Sequence, residues 1–170
     1  MGVNMATYED VLDDVTLQAS EIVARDNTDN IVVDLYNCIC EKCENGQLIN
    51  ELNGIERIFY LCQTFEYEMK NEGIDCYYCH DCGNFANETV EALVEIGAHD
   101  TALILDKGNS IFKNGIVPED LEARLEEIDL LDLNEKLWLF DELDREFSCR
   151  NDNLEQLCLN YVLNHTEAFM

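Results

Sequence analysis

Positive charge is the scarcest feature of this sequence. Its 170 residues hold 10 Lys and Arg against 37 Asp and Glu, for a formal net charge of −27. Proteins that hold nucleic acid displace phosphate counterions with Lys and Arg, so direct nucleic-acid binding is not expected of this chain. Long apolar runs are also missing: the longest uncharged stretch is the eleven residues from Gln156 to Thr166, against the roughly 20 apolar residues that span a bilayer. No transmembrane helix and no membrane role are expected. From Met1 to Asp14 four acidic residues precede any basic one, which is unlike the cationic and apolar regions of a secretory signal; a cytoplasmic location is expected. Proline occurs once, and no Ser-, Gly- or Pro-rich linker, low-complexity tract or fixed-period repeat interrupts the chain. One domain over residues 1–170 is the economical expectation.

Catalytic signatures are equally sparse. Of the three serines, Ser20, Ser110 and Ser148, none lies in a Gly-x-Ser-x-Gly elbow, which argues against a serine nucleophile. The histidines, His80, His99 and His165, form no His-Glu-x-x-His pair, and no Gly-rich phosphate loop occurs. Paired carboxylates such as Asp13 and Asp14 arise at this acidic density without selection for acid–base chemistry. No enzymatic activity is expected.

What is present is apolar and helical. Hydrophobic residues make up 47% of the chain, enough to build a core that an acidic disordered sequence lacks. Val11, Leu12, Val15, Ala19, Ile22 and Val23 follow helical spacing over Thr7–Ala24, with Thr7 and Asp10 as a capping box. Ile31, Val32, Leu35, Cys38 and Ile39 mark a second helix, capped by Asp29 and stopped at Asn45 and Gly46. Ile55, Ile58, Phe59, Cys62, Phe65 and Met69 mark a third, stopped by Gly73. Residues 71–87 read as the least regular segment, where function or packing should concentrate. Further helices are expected from Glu88 to Ile96, from Thr101 to Phe112 after an Asp100 cap, from Pro118 to Ile128, from Asn134 to Phe147 and from Asp152 to His165. Leu137, Phe140, Leu143 and Phe147 share one side of the penultimate helix, and Trp138 is expected in the core. Period-two strand patterns are absent, so the expected fold is all-α, a single compact domain of about eight helices.

The nine cysteines, odd in number with no export signal, read as reduced thiols. Cys38, Cys40 and Cys43 form one cluster. Cys76, Cys79 and Cys82, with His80 between them, form a C-x2-C-x2-C run. Such thiolates suit tetrahedral zinc, but no second C-x2-C lies at ribbon spacing, and Ala86 and Asn87 stand where a ferredoxin run needs its fourth cysteine and proline. The simpler reading is small, buried, weakly polar side chains. No cofactor and no metal are expected; Cys76, Cys79 and Cys82 would be the ligands of a structural-zinc alternative.

Spread over the roughly 8,500 Å² that a globule of this mass exposes, the net charge averages about one per 300 Å², whereas duplex DNA carries about one per 110 Å². Imitating DNA therefore requires carboxylates gathered on one face. Glu119, Glu122, Glu126 and Asp129 fall at offsets of three, seven and ten and would span ~15 Å of one helix side, opposite Leu121, Leu125 and Ile128. Glu135, Glu142 and Glu146 form a second stripe, and Asp10, Asp14 and Glu21 a third. A solvated acidic face is the alternative to a face that binds a basic partner.

Asn71-Glu72-Gly73-Ile74-Asp75-Cys76-Tyr77-Tyr78-Cys79-His80-Asp81-Cys82-Gly83 resembles the Asn-Gly-Gly-Phe-x-Gln-Tyr-Phe-x-Asn-Ser-Ser-Gly motif of the bacterial DNA-mimic protein family. Upstream, Arg57-Ile58-Phe59-Tyr60-Leu61 resembles that family's aromatic helix. Downstream, Glu91 to Ala98 resembles its Glu-Ala-Leu-x-x-Ile-Gly-Ala, and Tyr161 to Phe169 its ending, so the likeness is clearest over 46–170. Glu72 replaces a motif glycine, Cys76 the glutamine, His80 the asparagine, and Asp81 and Cys82 the serine pair. The resemblance implies an all-α, non-enzymatic acidic protein whose carboxylates stand in for DNA phosphates in the groove of a DNA-binding protein, such as a helix-turn-helix transcription factor. In the motif, Tyr77, Tyr78 and Gly83 read as structural. An acidic inhibitor or immunity-type partner of a basic enzyme such as a nuclease would use the same electrostatics. A homodimer would extend the acidic face over more of a duplex-binding groove.

Overall fold

The computed structural model describes residues 19–24 and 30–170; Asp10, Asp14 and the expected cap Asp29 lie outside them. Among the described residues there are helices and no strand, in agreement with the all-α expectation. Among the described residues the backbone forms two compact units, one of the residues up to Tyr60 with Leu159–Met170, the other Leu61–Cys158.

In the first unit, residues 19–23 are helical and α1 spans Ile31–Lys42, burying the five apolar residues its spacing predicted. Asn30, in the left-handed region at φ 63°, precedes it. Helix α2, Gly54–Asn71, opens with a reciprocal cap. Asn53 Oδ1 accepts the Ile55 and Glu56 amides, each at 3.0 Å, and Glu56 Oε2 accepts the Asn53 amide at 2.9 Å. Two otherwise orphaned helix donors are thus satisfied. Lys42 Nζ, 2.7 Å from Glu56 Oε1, supplies the charge that this buried carboxylate needs. Phe59 meets Phe169 edge-on at 6.1 Å.

In the second unit, α2 ends where Gly73, at φ 86°, turns the chain. The segment that read as irregular is largely helical. It contains α3, Ile74–Cys79, and a 3-10 helix, Asp81–Phe85, and α3 is the helix the periodicity did not show. Its six residues are too few for a helical repeat to register in sequence. Next come α4, Ala86–Glu95, and α5, His99–Asn109, joined through Gly97 at φ 87°. The unit continues through α6, Leu121–Asp129, and α7, Leu133–Cys149, into the start of α8, Leu154–Asn164.

Tyr77 and Tyr78 are core residues, as expected. Phe65 packs edge-on against Tyr77 at 4.9 Å and Phe147 at 6.0 Å, and Tyr78 packs against Phe112 at 5.1 Å. Their hydroxyls are not left bare: Tyr77 donates to Thr89 Oγ1 at 3.1 Å and Tyr78 to Asn109 Oδ1 at 2.8 Å, which removes the cost of burying them.

Two expected helix starts differ. Asp100 is not the cap of α5, which follows Ala98; it lies inside the first turn, where Oδ2 accepts from Asn151. The orphaned Thr101 amide is instead satisfied by Asp152 Oδ2 at 2.7 Å, a partner 51 residues away that no local pattern reveals. Pro118 precedes α6 rather than opening it; Asp120 is the cap and accepts the Ala123 amide at 2.9 Å.

Candidate partner-binding face

Helix α6 has two sharply different sides. Inward lie Ile128 and Arg124, the latter fully buried. The guanidinium donates to the carbonyls of Tyr78 (2.6 Å), Pro118 (2.7 Å), Glu119 (3.3 Å) and His80 (2.9 Å) and to Asn84 Oδ1 (3.0 Å). Burial lowers the Arg124 pKa, opposed by the ionisable groups around it, Cys82, Tyr77, Cys79 and the Asp81 carboxylate. Its planar fork suits several fixed acceptors at once. The motif accommodates it through Gly83, where a Cβ would stand 2.8 Å from the Tyr77 carbonyl oxygen and 3.0 Å from Arg124 Nε. Arg124 was not singled out by sequence, because an arginine in an acidic helix reads as one more surface charge.

Outward lie Glu122, Glu126 and Asp129, all exposed and, at about 100° per residue, within a sector of about 60°. Glu119 is also exposed but precedes the helix, so the expected four-residue helical stripe is three residues over ~10 Å with Glu119 beside its start.

The second stripe is more mixed. Glu135 is exposed, while Glu142 pairs with Arg145 and Glu146 with Lys107 Nζ at 2.6 Å. Those two carboxylates are half-buried and carry cations of their own. Other acids of the region serve the backbone. Asp132 caps α7 by accepting the Asn134 and Glu135 amides, and Glu127 accepts the Lys113 amide at 2.9 Å. Asp144 accepts the Ile74 amide at 2.9 Å, starting α3. Burial raises the Asp144 pKa, with the Ile74 amide opposing it. The side chains of Glu119, Glu122, Glu126, Asp129, Glu135 and Asp141 have no hydrogen bond or ion pair among the described residues, and all six are exposed. Of the third stripe, Glu21 is exposed, and Asp10 and Asp14 lie outside the described residues.

Trp138 is not in the core: it is 66% exposed, and Leu137 beside it is 51% exposed. The buried side of α7 is Phe140, Leu143 and Phe147. The expectation failed because the helix turns Trp138 about 140–200° away from those three at ~100° per residue.

The cysteine run does not gather. Cys79 Sγ lies 4.0 Å from Asp75 Oδ1 and Cys82 Sγ 3.5 Å from the Tyr77 carbonyl. Burial pushes the Cys82 thiol up to about 12 and raises those of Cys76 and Cys79, with Glu72 and Asp75 adding to the effect. Among the described residues, one set of three possible ligand atoms lies within 4.8 Å of one another, Glu68, Glu72 and His80. There the imidazole bridges two carboxylates, with Nδ1 3.0 Å from Glu68 and Nε2 3.9 Å from Glu72. No described helix is long and apolar enough to cross a membrane.

Helices alone among the described residues, an arginine-centred motif and outward carboxylates define an acidic all-α protein. The chain belongs to the DMP19-like protein family, which matches residues 50–165 and is a family of DNA mimics not known as enzymes. That membership implies binding to a DNA-binding protein in general terms. Neither a curated protein sequence nor a solved structure matches the chain.

Proposed function

We propose that this protein is a non-enzymatic DNA mimic that occupies the DNA-binding groove of a basic protein of transcription-factor type and competes with its DNA. The supporting observation is the set of exposed carboxylates on and just before α6: Glu122, Glu126 and Asp129, on the side opposite Arg124, and Glu119 beside the helix start, none of them in an ion pair among the described residues. Glu135, exposed on α7, is a further contact residue, as are Glu142 and Glu146, offset by Arg145 and Lys107. Asp10, Asp14 and Glu21 are the second choice of contact residues. Steering by such a surface makes association fast and salt-sensitive.

Capture from a lysate at low salt, followed by challenge with duplex DNA, tests the reading. Displacement of the captured protein by DNA supports competition for one groove. Retention in the presence of DNA that the partner binds would instead favour an inhibitor or immunity-type complex. Changing Glu119, Glu122, Glu126 and Asp129 together to Lys is expected to abolish capture while circular dichroism shows unchanged helicity; undiminished capture would discard this face.

A further inference from the structure

Phosphate imitation accounts for carboxylates but not for what stands beside them. Within the nine residues 130–138, Leu130, Leu133, Leu137 and Trp138 are 85%, 61%, 51% and 66% exposed. Single exposed apolar side chains are ordinary, but several in one short stretch mark a contact surface. Trp138 lies opposite the buried side of α7 and lines a shallow open depression with Asn134, Glu135 and Leu139. Helical spacing puts Glu135 three residues before it, Asp141 three after and Glu142 four after, all neighbours of the ring on the helix surface. By helical position the indole is therefore flanked by two exposed carboxylates unpaired among the described residues, Glu135 and Asp141, and by Glu142, which is already paired with Arg145.

An indole edged by carboxylates selects for cations, and for one kind above another. A guanidinium is planar and weakly hydrated, and it stacks on an aromatic face while its edge donates to carboxylates. An ammonium is a compact, strongly hydrated point charge. Tryptophan is the strongest such platform among the aromatic side chains and, with arginine, is over-represented among residues that dominate interface energies. A second copy of this chain is the poorer occupant, because apposing two such faces would bring their carboxylates together.

We infer that Trp138, with Glu135 and Asp141 beside it, is a receptor for an arginine side chain of the cationic partner. This inference rests on the DNA-mimic reading and adds to it a contact that duplex phosphates do not offer. The partner would then bind through two components, a salt-sensitive one on α6 and a less salt-sensitive one at Trp138.

The chain contains one tryptophan, so its emission reports this position alone. An oligo-arginine peptide and an oligo-lysine peptide of equal length serve as probes. Affinity is measured by anisotropy of labelled peptide at several salt concentrations. The intact protein is expected to prefer oligo-arginine, with the Trp138 emission changing on binding. Trp138→Ala and Trp138→Leu are each expected to shrink that preference by ~2- to ~30-fold, the range for exposed to desolvated cation–π contacts, with helicity unchanged. An equal arginine-to-lysine ratio in the intact protein and both variants would overturn the inference. So would a concentration-dependent blue shift of Trp138 emission without peptide, which would place a second copy on the face. Either result leaves the DNA-mimic reading to its own test, since capture by the Glu119, Glu122, Glu126 and Asp129 reversal is read separately.

Discussion

The two sides of α6 deploy charge in opposite ways. On one side a single cation, Arg124, is fully buried and shared among five acceptors. On the other, three exposed carboxylates stand in one sector with no cation of their own. Residues 119–146 contain twelve acids and three cations, Arg124, Lys136 and Arg145, and the first of these is withdrawn from the surface altogether. Burying an arginine here both organises the motif and leaves the outward carboxylates unneutralised. The difference teaches that the acidity of this face is preserved by where the few cations are placed, as much as by the number of acids.

The comparison breaks most completely at Arg124. Arg124→Met removes the donor from four carbonyls and an asparagine side chain, and is expected to cost about 3–5 kcal/mol, since each buried acceptor left without a donor costs about 1–3 kcal/mol and the site relaxes in part. The urea midpoint reads it, and an unchanged midpoint would mean that the five bonds contribute nothing net. Gly83→Ala should act through the same centre but more weakly, about 1–3 kcal/mol, because its Cβ must displace either the Tyr77 carbonyl or the guanidinium. Thermal melts of the two single variants and the double variant should show strong non-additivity, since both act on one contact.

Asp144 sharpens the contrast between acids that serve the fold and acids that face outward. Its pKa is raised by burial above the usual 3.8. The folded state therefore holds this proton more tightly than the unfolded one, so stability rises as pH falls through the raised value and levels off below 3.8. Asp144→Asn retains a carbonyl oxygen for the Ile74 amide and should flatten that part of the stability–pH curve. The smallest effect is expected on the outward side. Glu122 and Glu126 are like charges four residues apart, so Glu126→Gln should leave stability unchanged or raise it by a few tenths of a kcal/mol while weakening partner capture. A loss of more than about 1 kcal/mol would show that Glu126 serves the fold after all.

Much of this architecture was legible in sequence where repetition made it so. The apolar spacing of α1 shows in its five buried residues, and most of that of α2 and α7 does too, with Ile55 and Ile58 half-buried and Leu137 exposed; Gly73 and Gly97 stop their helices as their type suggests. Exposure of Glu122, Glu126, Asp129 and Glu135 also follows from helical spacing, whereas Glu119 is exposed ahead of the helix it was expected to share. What was hidden depended on distant partners or on direction. Asp144 starts α3 from 70 residues away, Lys107 reaches Glu146 across 39 residues, and Arg124 differs from a surface arginine only by what surrounds it. Trp138 was misplaced because a large aromatic side chain is ordinarily a core candidate, and rotation about α7 decided otherwise.

The cap of α5 carries a consequence for how the chain is made. The first turn of this helix is closed by Asp152 on the Thr101 amide and by Asn151 on Asp100, residues that leave the ribosome only after α6 and α7 have been synthesised. During translation the start of α5 must wait, frayed or provisionally hydrated, until residue 152 emerges. A chain truncated after residue 150 should accordingly show faster amide exchange at Thr101 than one that ends a few residues later.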